Sequence, residues 1–186
     1  MDRLRGFPDA PPMIDDALYQ LEVKLGLARF PFQSAAGWRV TVHVDPMEIG
    51  RGGRHSRGKV KRASEALRQL RSLGVTVGTH KLFGPVDVVA EHPEQGTRLV
   101  EVEGESGRQR EQALYSSLGQ LLLSMKIWGD DIAYGIAVPD TREWWRQLQK
   151  IPLELTNRLR LWRYSVGVTS CTSIEPGTSI PDWGRG

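Results

Sequence analysis

The sequence has one cysteine, few histidines and no long apolar run, and each shortage excludes a class of protein. Because Cys171 is alone, neither an internal disulfide nor a cysteine zinc cluster can form. The first residues lack the apolar run of a signal peptide, and no stretch is long enough to span a bilayer. We therefore expect a cytoplasmic protein. The histidines are scattered and indicate no zinc site: His43, His55, His80 and His92.

The bulk composition is that of one globular domain. The chain has 186 residues, 39% of them hydrophobic and 25% charged, which suits a folded domain with a real core and hardly two domains. The formal net charge is only +3, so the distribution of charge says more about partners than the total does.

Two short runs with β-branched residues predict a β-hairpin. Residues 85–90 and 99–104 are apolar and β-branched, and the turn-forming residues 92–97 separate them. Within the runs lie three acids, listed here in chain order: Asp87, Glu101 and Glu103.

These three acids share a region of the predicted hairpin. Strand alternation places Glu101 and Glu103 on one face. A tight turn places Asp87 nearly opposite residues 102 and 103, with the register open by one residue. If the acids converge, their charges need a partner, and a divalent cation is the usual one. The alternative is that they are ordinary solvent-facing residues of an antiparallel hairpin.

Helical and strand patterns surround the hairpin and suggest three regions of one domain. Residues 1–55 form an N-terminal extension with a basic loop, either an appendage or an extra edge of the main sheet. Residues 56–170 form the core, and residues 171–186 a flexible tail. The predicted elements are a helix at 14–27, a strand at 38–44, a helix ending near 73, a strand at 75–81, the hairpin, a helix at 111–125, a strand at 132–138, a helix from about 140 to 151 and a strand at 159–169.

Residues 50–62 form a glycine-rich basic segment. Seven of its thirteen residues are Arg, Lys or His, and four are Gly. Taken alone, such a segment is a solvated mobile loop. Beside an acidic hairpin, contact with phosphate becomes the better interpretation.

The order of these elements resembles the core of the PD-(D/E)xK nuclease superfamily, the restriction-endonuclease-like fold. Asp87 matches the first motif acid, and residues 99–104 match the (D/E)xK strand with Glu101 as its acid. The resemblance implies an α/β fold of order αβββαβ, with a mixed central sheet flanked by helices. It also matches Glu65 to an acid on the first core helix and Gln120 to the helix that follows the motif strand.

One position departs from the family pattern, because Glu103 stands where the motif has a lysine. Some members carry glutamate there and still cleave DNA, whereas others take the lysine from a neighbouring position. Lys81, on the predicted preceding strand, is the one nearby candidate.

The resemblance implies Mg²⁺ or Mn²⁺ held by Asp87, Glu101 and Glu103, with Glu103 as second-metal ligand or general base. Glu65 would hold a metal-bound water, and Lys81 would offset phosphate charge. Gln112 and Gln120 would touch the phosphate backbone or orient a carboxylate. Six cations would grip double-stranded DNA without reading its sequence: Arg51, Arg54, Arg57, Lys59, Arg108 and Arg110.

Three functions follow as hypotheses. The first is a metal-dependent DNA endonuclease of restriction, repair or mobile-element defence. The second is a catalytically inactive nucleic-acid-binding or assembly subunit on the same fold, and the third is an interaction protein whose basic segment is incidental. Because many nucleases of this fold pair to cut both strands, a homodimer or a partner subunit stays open.

Overall fold

A mixed seven-stranded sheet forms the centre of the computed structural model, which describes residues 18–50, 57–105, 109–127 and 129–180. The order across the sheet is β2-β1-β3-β4-β5-β6-β7. All strands except β3 and β7 point the same way, so five of them end at the edge where β3 begins. The strands are β1 (Arg39–Val42), β2 (Thr76–Val77), β3 (Val88–His92), β4 (Gly96–Val102), β5 (Ile132–Pro139), β6 (Leu161–Val166) and β7 (Cys171–Ile174).

Helices cover both faces of the sheet, as the predicted α/β class requires. One apolar core lies between the sheet and α1 and α2, and a second lies between the sheet and α3 and α4. None of the helices in the described residues is long and apolar enough to cross a membrane. The helices are α1 (Gln20–Arg29), α2 (Arg57–Ser72), α3 (Arg110–Ser124), α4 (Arg142–Gln149) and α5 (Leu153–Arg158).

The predicted hairpin is β3–β4, and its register brings two acids together. Val88 pairs with Val100, so Asp87, one residue further, faces Glu101. A tight turn alone predicts Asp87 nearly opposite residues 102 and 103, and the structure differs from that by the one-residue shift that the sequence leaves open. Gly96 determines the register, because it closes a three-residue turn with φ at 75°, a conformation that glycine adopts at no steric cost. Directly opposite residues share a face, so the two carboxyl groups lie side by side.

The N-terminal region is part of the sheet and not an appendage. β1 lies between β2 and β3, and α1 packs its predicted leucines into the first core. Helix α1 begins at Gln20, and residues 14–17 of the helix predicted at 14–27 lie outside the described residues. The expected boundary at residue 55 lies outside the described residues.

The chain after residue 170 continues the fold. The expectation of a flexible tail is wrong for residues 171–180, since β7 pairs antiparallel with β6. The buried guanidinium of Arg163 then donates hydrogen bonds to the carbonyl oxygens of Glu175 and Thr178. Residues 181–186 lie outside the described part of the chain. The predicted helix ending at 151 is α4, and Pro152 begins the separate helix α5.

Candidate active site

A cleft of about 530 Å³ opens at the sheet edge where β1 and β4 end and β3 begins. Its boundaries are the start of α1, the loop after β1, the segment before β3 and the end of α3. The residues lining it are Gln20, His43, Asp45, Glu48, Phe83, Pro85, Val86, Asp87, Glu101, Gln120, Leu123, Ser124 and Lys126.

Asp87 lies at the centre of the polar contacts in this cleft. Its Oδ2 accepts hydrogen bonds from the backbone nitrogen of Val102, at 2.9 Å, and from Nε2 of Gln20, at 3.2 Å. Its Oδ1 lies 2.7 Å from Nζ of Lys24. Two elements, β4 and α1, therefore fix the direction of this carboxylate through three contacts.

Lys24 is the functional candidate that the sequence analysis missed. Its side chain is fully buried, and its ammonium group contacts the carbonyl oxygen of His43 at 2.8 Å, Oε1 of Glu48 at 2.7 Å and Asp87. An ammonium group has three donors, and these contacts use all of them. Burial alone would lower the pKa of Lys24, but the two carboxylates outweigh burial and raise it, so the side chain stays charged.

Glu101 is a second acid at the cleft, and its environment disfavours ionisation. Only 7% of the residue is exposed. Burial, the charge of Asp87 and a hydrogen bond with Asp87 together raise the pKa of Glu101 to about 8, against a smaller opposing effect of Lys24. Near neutral pH the carboxyl group of Glu101 therefore keeps its proton, unless another cation replaces that proton.

Glu48 is a third, equally buried acid, and it also escaped the sequence analysis. Its Oε1 accepts hydrogen bonds from Lys24 and from the backbone nitrogen of Asp45, at 2.9 Å. Within the part of the chain that the structure describes, its buried Oε2 has no hydrogen-bond partner. Burial raises the pKa of Glu48, although Lys24 acts in the opposite direction.

The buried cluster holds more acid than base. Lys24 is the cation that contacts Asp87 and Glu48 and that lies near Glu101. At about 4 Å and an effective dielectric constant near 20, two like charges repel by about 4 kcal/mol. Such a cluster therefore keeps a proton on one carboxyl group or accepts a further cation.

Glu103 lies just past the end of β4, beside the other two hairpin acids. Its Oε1 accepts a hydrogen bond from the hydroxyl of Ser117 on α3, and its backbone nitrogen donates to Ala137 at 2.9 Å. Its charge contributes to the raised pKa of Glu101. Within the described ranges no three Asp, Glu, His or Cys side chains form a group suited to a metal ion. The predicted magnesium therefore depends on the Asp87–Glu101 pair.

Two residues predicted for the site lie elsewhere. Glu65 is on the exposed face of α2, where it pairs with Arg68 at 2.8 Å and lines a different groove between α1 and α2. Lys81 is exposed in the turn before β3, because the predicted strand at 75–81 shortens to Thr76–Val77. Neither residue lines the cleft.

The two predicted glutamines differ in position. Gln120 is exposed on the last turns of α3 and lines the cleft, as its proposed contact with phosphate requires. Gln112 is exposed two turns earlier on the same helix and is not among the lining residues.

Two of the predicted DNA-contacting cations lie at the start of α2. Arg57 opens the helix, and the ammonium group of Lys59 lies 5.5 Å from the ring centroid of Tyr19. Tyr19 directly precedes Gln20, the residue that contacts Asp87. The basic start of α2 therefore approaches the cleft from the side of α1.

The other predicted cations lie after β4 or outside the described residues. Arg110 begins α3 and pairs with Glu105 at 3.0 Å, which ties it to the loop after the motif strand. Arg51, Arg54 and Arg108 lie outside the described residues.

Comparison with known proteins adds nothing to these observations. No family model, curated protein or solved structure matches the chain.

Proposed function

We propose that this protein is a metal-dependent nuclease that hydrolyses phosphodiester bonds, with DNA as the expected substrate. The observation that carries the proposal is the contact cluster of Lys24, Asp87 and Glu101 at one end of the cleft. Ion-paired and protonated acids inside a cleft are more typical of functional sites than of the rest of a protein surface.

The order of elements around the cluster supports a restriction-endonuclease-like core. Taken in chain order, α1, β1, β3, β4, α3 and β5 give αβββαβ, and α2 with β2 is an insertion between β1 and β3. In this assignment the first core helix is α1 and not α2. Glu65 then has no part in the site, and Gln20 and Lys24 occupy the corresponding helix.

The Asp87–Glu101 pair suits one Mg²⁺ or Mn²⁺ ion. Mg²⁺ is commonly held by one or two carboxylates, with water and substrate phosphate oxygens as its other ligands. The raised pKa of Glu101 reflects a deficit of positive charge beside the pair, which a cation would remove. A bound divalent ion supplies charge neutralisation at the phosphate and a more acidic water.

In this proposal Lys24 takes the part of the motif lysine, because position 103 is a glutamate. Its ammonium group lies 2.7 Å from Oδ1 of Asp87, and this fixed contact keeps that carboxylate aimed at the cleft. Gln120 and Lys126 line the cleft at the end of α3 and would contact the phosphate from the opposite side. Glu103, held by Ser117, would take the proton of the attacking water.

One observation favours the alternative of a catalytically inactive nucleic-acid-binding subunit. All three donors of Lys24 are used within the protein, and its ammonium group already compensates Asp87. An internal lysine that replaces a metal would leave the fold intact without the chemistry. Nucleic-acid binding would then depend on cations such as Lys59 at the start of α2.

Cleavage assays separate the two possibilities. Supercoiled plasmid, branched DNA and RNA are incubated with Mg²⁺, Mn²⁺ or a chelator, using wild type, Glu101→Gln and Glu65→Gln. We expect metal-dependent cutting that Glu101→Gln abolishes and the matched surface variant Glu65→Gln retains. Binding without cutting, in every metal, would favour the inactive subunit. Neither binding nor cutting would reject both functions.

A further inference from the structure

The cleft has an apolar side that phosphodiester chemistry does not require. Phe83, Pro85 and Val86 line it on the segment before β3, and Leu123 lines it from α3. Leu123 is 77% exposed, the highest value among the large apolar side chains of the described residues. Apolar surface of this kind beside a charged floor marks a place for an apolar group of a ligand.

The aromatic member of this wall is held in place from behind. The ring of Phe83 stacks on the ring of His80, with centroids 5.1 Å apart and planes 28° from parallel. Phe83 also packs against the second apolar core, and the backbone nitrogen of Phe83 donates to Nδ1 of His80 at 3.3 Å. A ring fixed in this way is a ready platform for a second flat group.

The neighbouring residue Leu122 provides a contrast on the same helix. It is 53% exposed but does not line the cleft, so its side chain leaves α3 in another direction. Both positions carry an exposed leucine, but of the two only Leu123 lines the cleft.

A phosphate at the Asp87–Glu101 floor brings its own sugar and base into the cleft. In duplex DNA the bases are stacked inside the helix, and a protein reaches mainly phosphates and groove edges. In a single strand the bases are free to stack on protein side chains. The cleft volume of about 530 Å³ falls in the range of sites that enclose a ligand as large as a nucleotide.

We propose that the apolar wall formed by Phe83 and Leu123 receives an unstacked nucleobase next to the scissile phosphate, so that the substrate is a single strand, a flap or a frayed end. This inference depends on the proposed nuclease function, and it replaces the intact duplex implied by the family resemblance. The hydroxyl of Ser124, which also lines the cleft, would accept a hydrogen bond from the edge of that base.

Binding measurements with matched probes test the inference. Fluorescent DNA and RNA strands of about 12 nucleotides, and the blunt duplexes of the same sequences, are titrated with the full chain in chelator at one ionic strength. The variants are Leu123→Ser, Phe83→Leu, which keeps the apolar packing but removes the aromatic face, and the control Leu122→Ser. Circular dichroism verifies that each variant is folded.

We expect single strands to bind at least about tenfold more tightly than duplexes. Loss of one stacking contact should weaken single-strand binding about five- to 100-fold in Leu123→Ser and Phe83→Leu, and leave duplex binding and Leu122→Ser unchanged. The DNA and RNA arms distinguish which strand the cleft prefers. Equal effects of Leu122→Ser and Leu123→Ser, or equal affinity for strand and duplex, would overturn the inference.

Cleavage assays with the same probes keep this inference distinct from the function it depends on. Metal-dependent cutting of duplex and strand at equal rates, unaffected by Leu123→Ser, would reject the apolar base site and leave the nuclease standing. Neither binding nor cutting of any probe would reject both.

Discussion

The ammonium nitrogen of Lys24 lies 2.7 Å from Oδ1 of Asp87, and this contact joins α1 to the start of β3 at the floor of the cleft. A fully buried lysine is stable only when its charge is matched and its donors are used. Here both conditions are met by groups from three parts of the chain. The contact therefore links the stability of the fold to the charge of its candidate active site.

Removing this cation should destabilise the protein strongly. Lys24→Met leaves the buried Glu48 and the half-buried Asp87 without their counter-ion, so we expect the free energy of unfolding to fall by about 3–5 kcal/mol. The control is Lys126→Met, because Lys126 is exposed at the mouth of the same cleft. Urea unfolding of both variants measures the difference. A loss below about 1 kcal/mol for Lys24→Met would contradict the burial of the ion pair.

Glu101 should make the protein less stable as the solution becomes alkaline. Its pKa is raised in the fold to about 8 from an ordinary value of 4.5. Its contribution to stability is thus complete below pH 4.5 and is lost as the pH rises to about 8, at about 1.4 kcal/mol per unit of pKa difference. Glu101→Gln removes this dependence, so the variant should gain stability relative to wild type between pH 5 and 9.

Thermal unfolding in chelator across that pH range measures the effect of Glu101. Glu65→Gln is the control, since contacts with Gln69 and Arg68 lower the pKa of Glu65 and place its titration at more acid pH. Parallel curves for wild type and Glu101→Gln would show that Glu101 is ionised in the fold at neutral pH.

A methyl group at Gly104 should disturb the site from the backbone side. A Cβ there would lie 2.0 Å from the backbone nitrogen of Gln20 and 2.6 Å from its Cα. Because backbone cannot move aside as a side chain can, Gly104→Ala should push the start of α1 outward and cost about 1–3 kcal/mol. In Gly119→Ala the new methyl group meets no atom of the described residues within 4 Å, so that helix substitution should stabilise by about 0.5–1 kcal/mol. Chemical denaturation of both variants checks the prediction.

Substitutions of Glu103 and Ser117 should slow cleavage by different factors. If Glu103 takes the proton of the attacking water, Glu103→Gln should slow metal-dependent cutting by about 100-fold or more. Ser117→Ala removes only the hydroxyl that orients Glu103 and should slow it by about tenfold to 100-fold. Single-turnover rates with Mg²⁺ measure both. Equal rates for wild type and Glu103→Gln would remove Glu103 from the chemistry.

Local sequence patterns are sufficient for the hairpin and the helix that follows it. The β-branched runs flanking residues 92–97 predict β3 and β4, and Gly96 supplies the turn that joins them. The leucine spacing of residues 114–121 predicts α3 and its buried face. These signals are short in range, because strand alternation and helical periodicity act between residues close in sequence.

A few elements escaped because their sequences carry weak local signals. β7 has four residues, only one of them fully buried, and it exists because β6 offers it an edge. β2 has two residues and leaves Lys81 in a turn. Neither length nor composition distinguishes such short strands from loops.

The sequence by itself determined the α/β class and the placing of Asp87, Glu101 and Glu103 on one hairpin. Only the tertiary structure decided that α1, and not α2, faces this hairpin, and that Lys24 and Glu48 complete the cluster. The sequence signal for this cluster is Lys24 itself, a charged residue three positions after Leu21 on the leucine-rich face of the helix predicted at 14–27. The partners of Lys24 cannot be predicted from neighbouring residues. The energy of a buried charge depends on which distant groups the packing of the sheet brings within reach.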